Sequence, residues 1–147
     1  MSLKERLMAD LKEAMKSKDK LRKDVITMVR AAIKQKEVDE RVELDDSDIL
    51  DIISKQLKEK KSSIDEFKKG NREDLVKQTN DEIEILLKYL PEQLSDEELK
   101  EIIKKVIDEN EITSMKDIGK LMKNVMPLIK GKADGKQVNL IAKELLN

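Results

Sequence analysis

The sequence predicts an all-α protein: an N-terminal four-helix domain followed by a small three-helix C-terminal domain. Three observations lead there. Apolar residues recur every three to four positions along most of the chain, the spacing that lines one face of a helix. Ser or Asp followed three residues later by an acid stands before several of these runs, the pattern of a reciprocal helix cap. No stretch alternates with the two-residue period of a half-buried strand. The length, 147 residues, suits one ordinary domain or two small ones.

Ser2 and Glu5 form the first capping box, and Leu3, Leu7, Leu11 and Ala14/Met15 carry helix one to about Lys16. The short turn at residues 17–19 predicts an antiparallel return. Helix two shows one apolar stripe: Leu21, Val25, Met28/Val29 and Ala32/Ile33. Periodicity fades over residues 37–43, which read as a helix end and connector. Leu44, then Asp45, Asp48 and Ile49, read as an acidic N-cap with a hydrophobic staple. Helix three carries Ile49, Ile52/Ile53, Leu57, Ile64 and Phe67. Its stretch 55–63 is polar except for Leu57 and is expected to be exposed. Gly70 suits the position after a helix end that calls for a left-handed backbone. Asn71 is the expected cap of helix four, which carries Leu75/Val76, Ile83, Leu86/Leu87 and Leu90, and Pro91 is its stop.

The domain boundary falls at residues 91–93, giving domains 1–90 and 91–147. Ser95 and Glu98 make another box, flanked by Leu94 and Leu99. Helix five continues through Ile102/Ile103 and Val106/Ile107. Ser114 with Asp117 opens helix six, with Ile118, Leu121/Met122 and Val125/Met126, and Pro127 is expected to end it. Met122 and Met126 read as core packing. Past a lysine-glycine segment at 130–135, Asp134 is the expected cap of helix seven, with Val138, Ile141/Ala142 and Leu145 as its buried stripe.

Composition narrows the chemistry. Charged residues make up 43% and apolar residues 38%, and Phe67 and Tyr89 are the two aromatics. The core must be aliphatic, and base-stacking platforms for single-stranded nucleic acid are disfavoured. With no cysteine and no histidine, disulfides, thiol nucleophiles, imidazole acid–base catalysis and the usual zinc ligands are excluded. No metal and no cofactor is expected. The first sixteen residues are too charged for a signal peptide, and no apolar run approaches a membrane span. The expectation is a cytoplasmic, soluble protein without a membrane partner. The net charge of −1 is unevenly spread: +6 over residues 1–36, −11 over 37–113 and +4 over 114–147. Either end could face a polyanion, while the middle would repel one.

Carboxylate groups such as Asp45/Asp46/Asp48 and Glu97/Glu98 are explained by caps and solvated faces. Ser2, Ser17, Ser47, Ser95 and Ser114 sit at helix starts or turns, and no Gly-Ser-rich loop of a serine–lysine amidase is present. The sequence therefore points away from catalysis. The loop Lys130-Gly131-Lys132-Ala133-Asp134-Gly135-Lys136 is not a Walker A motif, having neither its spacing nor a Ser/Thr after the last lysine. Two readings stand for it: a phosphate seat at a helix start, or a tight turn with glycines at positive φ and solvated lysines.

Three stretches resemble the YqeY family: Lys4-Glu5-Arg6-Leu7 with Val25-Ile26-x-Met28-x-Arg30-Ala31-Ala32; Tyr89-Leu90-Pro91-Glu92-Gln93-Leu94-Ser95; and Gly119-Lys120-x-Met122-x-x-x-Met126-Pro127 followed by residues 130–135 and Val138-Asn139. The C-terminal third is also similar to the tail of the B subunit of the tRNA-dependent Asp/Glu amidotransferase. Asp134-Gly135 departs from that tail, and Lys123 and Lys132 stand where glycine and arginine are expected. The resemblance implies a C-terminal domain of the GatB/YqeY type, whose counterpart in the amidotransferase helps hold tRNA and performs no chemistry. It implies a tRNA-binding or other RNA-binding accessory module. The candidate contacts are Lys116, Lys120, Lys123, Lys130, Gly131, Lys132, Gly135, Lys136 and Asn139. The expected partners are tRNA or another structured RNA, or a protein of tRNA metabolism. Two other readings stay open: a helical protein-interaction adaptor using the acidic middle or helix three, and a carbon–nitrogen ligase with glutamine as amido donor.

Overall fold

A computed structural model describes residues 1–146. Among the described residues there are seven α-helices and no strand. They are α1 Leu3–Lys16, α2 Lys20–Glu40, α3 Asp46–Lys69, α4 Glu73–Leu87, α5 Asp96–Glu109, α6 Ile118–Ile129 and α7 Gly135–Leu146. A 3-10 turn, Met115–Asp117, leads into α6. The chain divides into two compact units, Met1–Leu90 and Pro91–Asn147.

In the first unit the apolar stripes of α1–α4 close over a core centred on Leu7, Ile26, Ile49, Ile53 and Leu86, each fully shielded from solvent. Each such side chain contributes about 1.5–3 kcal/mol by leaving water. Ile26 lies outside the single stripe read for helix two, so α2 buries a wider face than expected. Met15 and Met28, read as core, are 60% and 56% exposed. Thr79 is buried with its hydroxyl satisfied, donating to the Leu75 carbonyl one turn earlier at 2.7 Å.

Three local expectations are corrected here, at Gly70, at Asn71 and along the middle of α3. Helix two ends at Glu40, inside the range 37–43 read as a helix end and connector, and Arg41 turns left-handed at φ 54. Glu37 ties this connector down. Its carboxylate accepts from the Leu44 N–H at 2.8 Å and from the Lys4 ammonium, so the connector folds back over the helix end. The Lys4 ammonium, followed by the Leu44 N–H, holds the Glu37 carboxyl below its usual range. Gly70 does not take the left-handed conformation: it caps α3 at φ −87, and Asn71 takes φ 56. A short polar side chain tolerates that region well. Asn71 therefore does not cap helix four, which starts after Arg72 without a side-chain cap bond. The polar stretch of α3 is only partly exposed, because Leu57 is buried and Lys60 pairs with Glu82 of α4 at 3.2 Å.

The turn after α4 is fixed by Tyr89. Its hydroxyl donates to Asp10 of α1, whose other oxygen lies 3.4 Å from an Arg22 nitrogen of α2. The Arg6 guanidinium covers the ring at 4.7 Å and donates to the Lys88 carbonyl at 2.7 Å. Burial, with the bond to Asp10, pushes the phenol above its usual range.

The second unit has a wholly aliphatic core, including Leu99, Ile103, Leu121, Val125, Ile129 and Val138. Ser95 and Glu98 close their capping box. Ser114 caps the 3-10 turn rather than α6 directly, and Asp117 makes no side-chain cap bond. Pro127 does not end α6. It lies inside the helix, and two further residues bring Ile129, with no exposed surface, into line with Leu121 and Val125. Proline's φ is already helical, and burial of Ile129 holds the last turn in register. Met126 stays 37% exposed rather than joining the core.

Tyr89→Phe keeps the ring and its stacking by Arg6 but removes the bond to Asp10. It is expected to destabilise the protein by about 1.5–3 kcal/mol, the range for a hydrogen bond to a charged group. Urea denaturation followed by circular dichroism measures it; an unchanged midpoint would mean the hydroxyl contributes nothing.

Candidate nucleic-acid interface

The α6–α7 loop is built by bonds between its own residues and the segment that opens the second unit. Gly131 sits at φ +75, a conformation open to glycine, and a Cβ there would stand 3.3 Å from the Pro91 ring. The Gln93 side-chain amide donates to both the Pro91 and Gly131 carbonyls, at 2.9 and 2.7 Å. The Leu94 N–H donates to the Lys132 carbonyl at 3.0 Å. The Lys132 and Ala133 N–H groups turn inward to the Ile129 carbonyl. Two stretches that carry the family resemblance, 91–95 and 130–135, thus meet in one joint.

The start of α7 is closed by a reciprocal pair. The Gln137 N–H donates to the Asp134 carboxylate and the Asp134 N–H donates to the Gln137 side-chain oxygen, both at 2.9 Å. Asp134 caps helix seven as its spacing indicates. The same bond places an anion of the chain itself at the positive helix end. A phosphate at this start would have to compete with that carboxylate. Gly135 has no positive φ, contrary to the tight-turn reading. Instead, a Cβ there would come within 3.2 Å of the Met122 methyl, so its lack of a side chain lets α7 approach α6 closely.

The six candidate lysines, Lys116, Lys120, Lys123, Lys130, Lys132 and Lys136, are all exposed. Within residues 114–136 the two acids, Asp117 and Asp134, are both half-buried. The outer surface of this segment is therefore cationic. Lys120 and Lys123 lie on α6 away from the buried Leu121, Val125 and Ile129. The Lys120 ammonium leans back to the Asn110 carbonyl at 3.1 Å. Lys136 and Asn139 share the exposed side of α7, opposite Val138, Ile141 and Ala142. Gly131 and Gly135 are half-buried in the joint and serve it structurally.

The hydroxyls considered as nucleophiles have other work. Ser2, Ser95 and Ser114 accept backbone N–H groups as caps, and Ser17 donates to the Ala14 carbonyl. Among the described residues no group of three or more acidic side chains is placed to hold a metal ion. No helix among them is long and apolar enough to cross a membrane. Gln93 and Gln137 are the residues that sequence reasoning missed. Gln137 had a signal, three positions after Asp134; Gln93 had none beyond its place in the resembling stretch.

A family model described as Yqey-like protein matches residues 4–146. The chain is 46% identical over 85 residues to the Altered inheritance of mitochondria protein 41, mitochondrial, of Lachancea thermotolerans, covering 57% of this chain and 46% of that protein. For the protein of the same name from Kluyveromyces lactis the values are 45% over 84 residues, 56% and 45%. For that of Pyrenophora tritici-repentis they are 34% over 130 residues, 87% and 71%. The matched part of the chain thus spans a little under half the length of the two yeast relatives. The expectation of a cytoplasmic protein is overturned by these relatives, whose names place them in mitochondria. Lack of cysteine fits any reducing compartment, so composition could not separate the two.

Gly131→Ala should destabilise the protein by about 1–2 kcal/mol, the cost of a left-handed non-glycine residue, before any clash with Pro91. Gly119→Ala is the control: a Cβ there meets nothing within 4 Å. It should be neutral or stabilising by up to about 1 kcal/mol, since alanine favours helix. Urea midpoints for the two variants decide this, and equal midpoints would contradict the geometry.

Proposed function

Since the chain belongs to the Yqey-like protein family over residues 4–146, we propose that it is a non-catalytic RNA-binding accessory module. Its C-terminal unit would hold structured RNA as the similar tail of the tRNA-dependent amidotransferase holds tRNA. One observation carries this reading: from 114 to 136 every lysine is exposed and both acids are withdrawn. Such a surface attracts phosphate and releases counterions on binding. The contacts come from side chains, because Asp134 occupies the α7 start. Without aromatics in this unit, recognition rests on backbone and shape rather than stacked bases.

The ligase reading is disfavoured because the capping serines are engaged with backbone. The adaptor reading placed on α3 is weakened by the burial of Leu57 and the Lys60–Glu82 pair.

Lys116, Lys123, Lys132 and Lys136 are the four whose substitution tests the reading. Binding of the full chain to unmodified tRNA should fall with salt at a log–log slope of about −3, for about 3–4 phosphate contacts. Changing all four to Ala should flatten the slope by about 2 without altering the circular dichroism spectrum. Filter binding across a salt series measures both. Equal slopes, or no binding by the wild-type chain, would overturn the proposal.

A further inference from the structure

We propose that the cleft between α1 and α2 docks an acidic amphipathic helix of a partner protein. The inference concerns the first unit and is independent of RNA binding by the second. The cleft encloses about 640 Å³. Leu7 and Ile33, both core residues, form its floor; Met8 and Ala31 are its exposed apolar walls; Arg30 and Lys34 are its cations.

Three features select the occupant. On α2, residues 27, 30, 31 and 34 follow helical spacing and form a second stripe beside the core stripe of Val25, Val29 and Ile33. A partner helix can lie along such a stripe, and ten residues of α2 offer about 15 Å, roughly three turns. Ala31 in its middle leaves room for close approach.

Charge selects further. At one end Lys4 and Glu37 neutralise each other. Arg30 is half-buried, and among the described residues no carboxylate pairs with it. Lys34 beside it is exposed. A carboxylate on the incoming helix would satisfy Arg30 in a partly desolvated place, where such a pair is stronger than on an open surface. The exposed apolar walls favour a peptide over RNA, since a phosphate backbone gains nothing from Met8 or Ala31.

The test is panning of a phage-displayed library of 12-residue helical peptides on the full chain. The counter-target is the chain with Arg30→Glu and Lys34→Glu, its fold checked by circular dichroism. Arg30→Gln with Lys34→Gln is a milder second variant. Enriched peptides should carry apolar residues at i, i+3 or i+4, and i+7, with Asp or Glu beside them. A synthetic representative should shift the amides of α1 and α2 and bind the Glu variant at least about tenfold more weakly. Lysine-bearing peptides of the same apolar pattern should then prefer that variant. Several outcomes would overturn the proposal. They are no enrichment, enrichment without acids, equal binding to the Glu variant, or shifts confined elsewhere. Shifts of the same amides by tRNA alone, or by raising the chain's own concentration, with no enriched peptide, would assign the cleft to nucleic acid or to a second copy instead.

Discussion

Four helix starts are closed by reciprocal pairs of side-chain bonds: Ser2 with Glu5, Asp45 with Asp48, Ser95 with Glu98, and Asp134 with Gln137. Each pair satisfies two backbone donors that the helix itself leaves open. A chain with 43% charged residues and two aromatics has a thin aliphatic core. Burial of apolar faces holds the helices together, and the caps set where these four begin. The caps fix the turns, and the turns bring the apolar stripes of each unit together.

The same constraint shapes the interface. An N-terminal helix end is an anion site only while its donors are open. At α7 the carboxylate of Asp134 already accepts from Gln137, and the loop before it directs its N–H groups inward to Ile129. What this surface offers to a polyanion is lysine ammonium groups on exposed positions. That is a diffuse, salt-sensitive kind of recognition, and it suits a module that holds structured RNA without reading its bases.

Much of the fold was legible because its signals are local. Apolar spacing marks all seven helices, and Ser2/Glu5, Asp45/Asp48 and Ser95/Glu98 announce their starts within four residues. The failures occurred where distant partners decide. Ile129 carries α6 past Pro127 because a core position waits for it. Asn71 rather than Gly70 turns left-handed, a choice between neighbouring residues that composition does not make. In the site, lysine exposure followed from the opposite apolar stripe, whereas the Gln93 bridge to Gly131 spans 38 residues and left no local trace.

In the proposed RNA-binding mode, lysine side chains, and not the start of α7, meet the RNA. A titration of the isotope-labelled full chain with unmodified tRNA, followed by amide and lysine side-chain resonances, tests it most directly. Shifts are expected at Lys116, Lys123, Lys132 and Lys136, while the Asp134 and Gln137 amides keep their positions and their protection from exchange. Largest shifts at the amides of residues 134–137, with the lysine resonances unmoved, would contradict it.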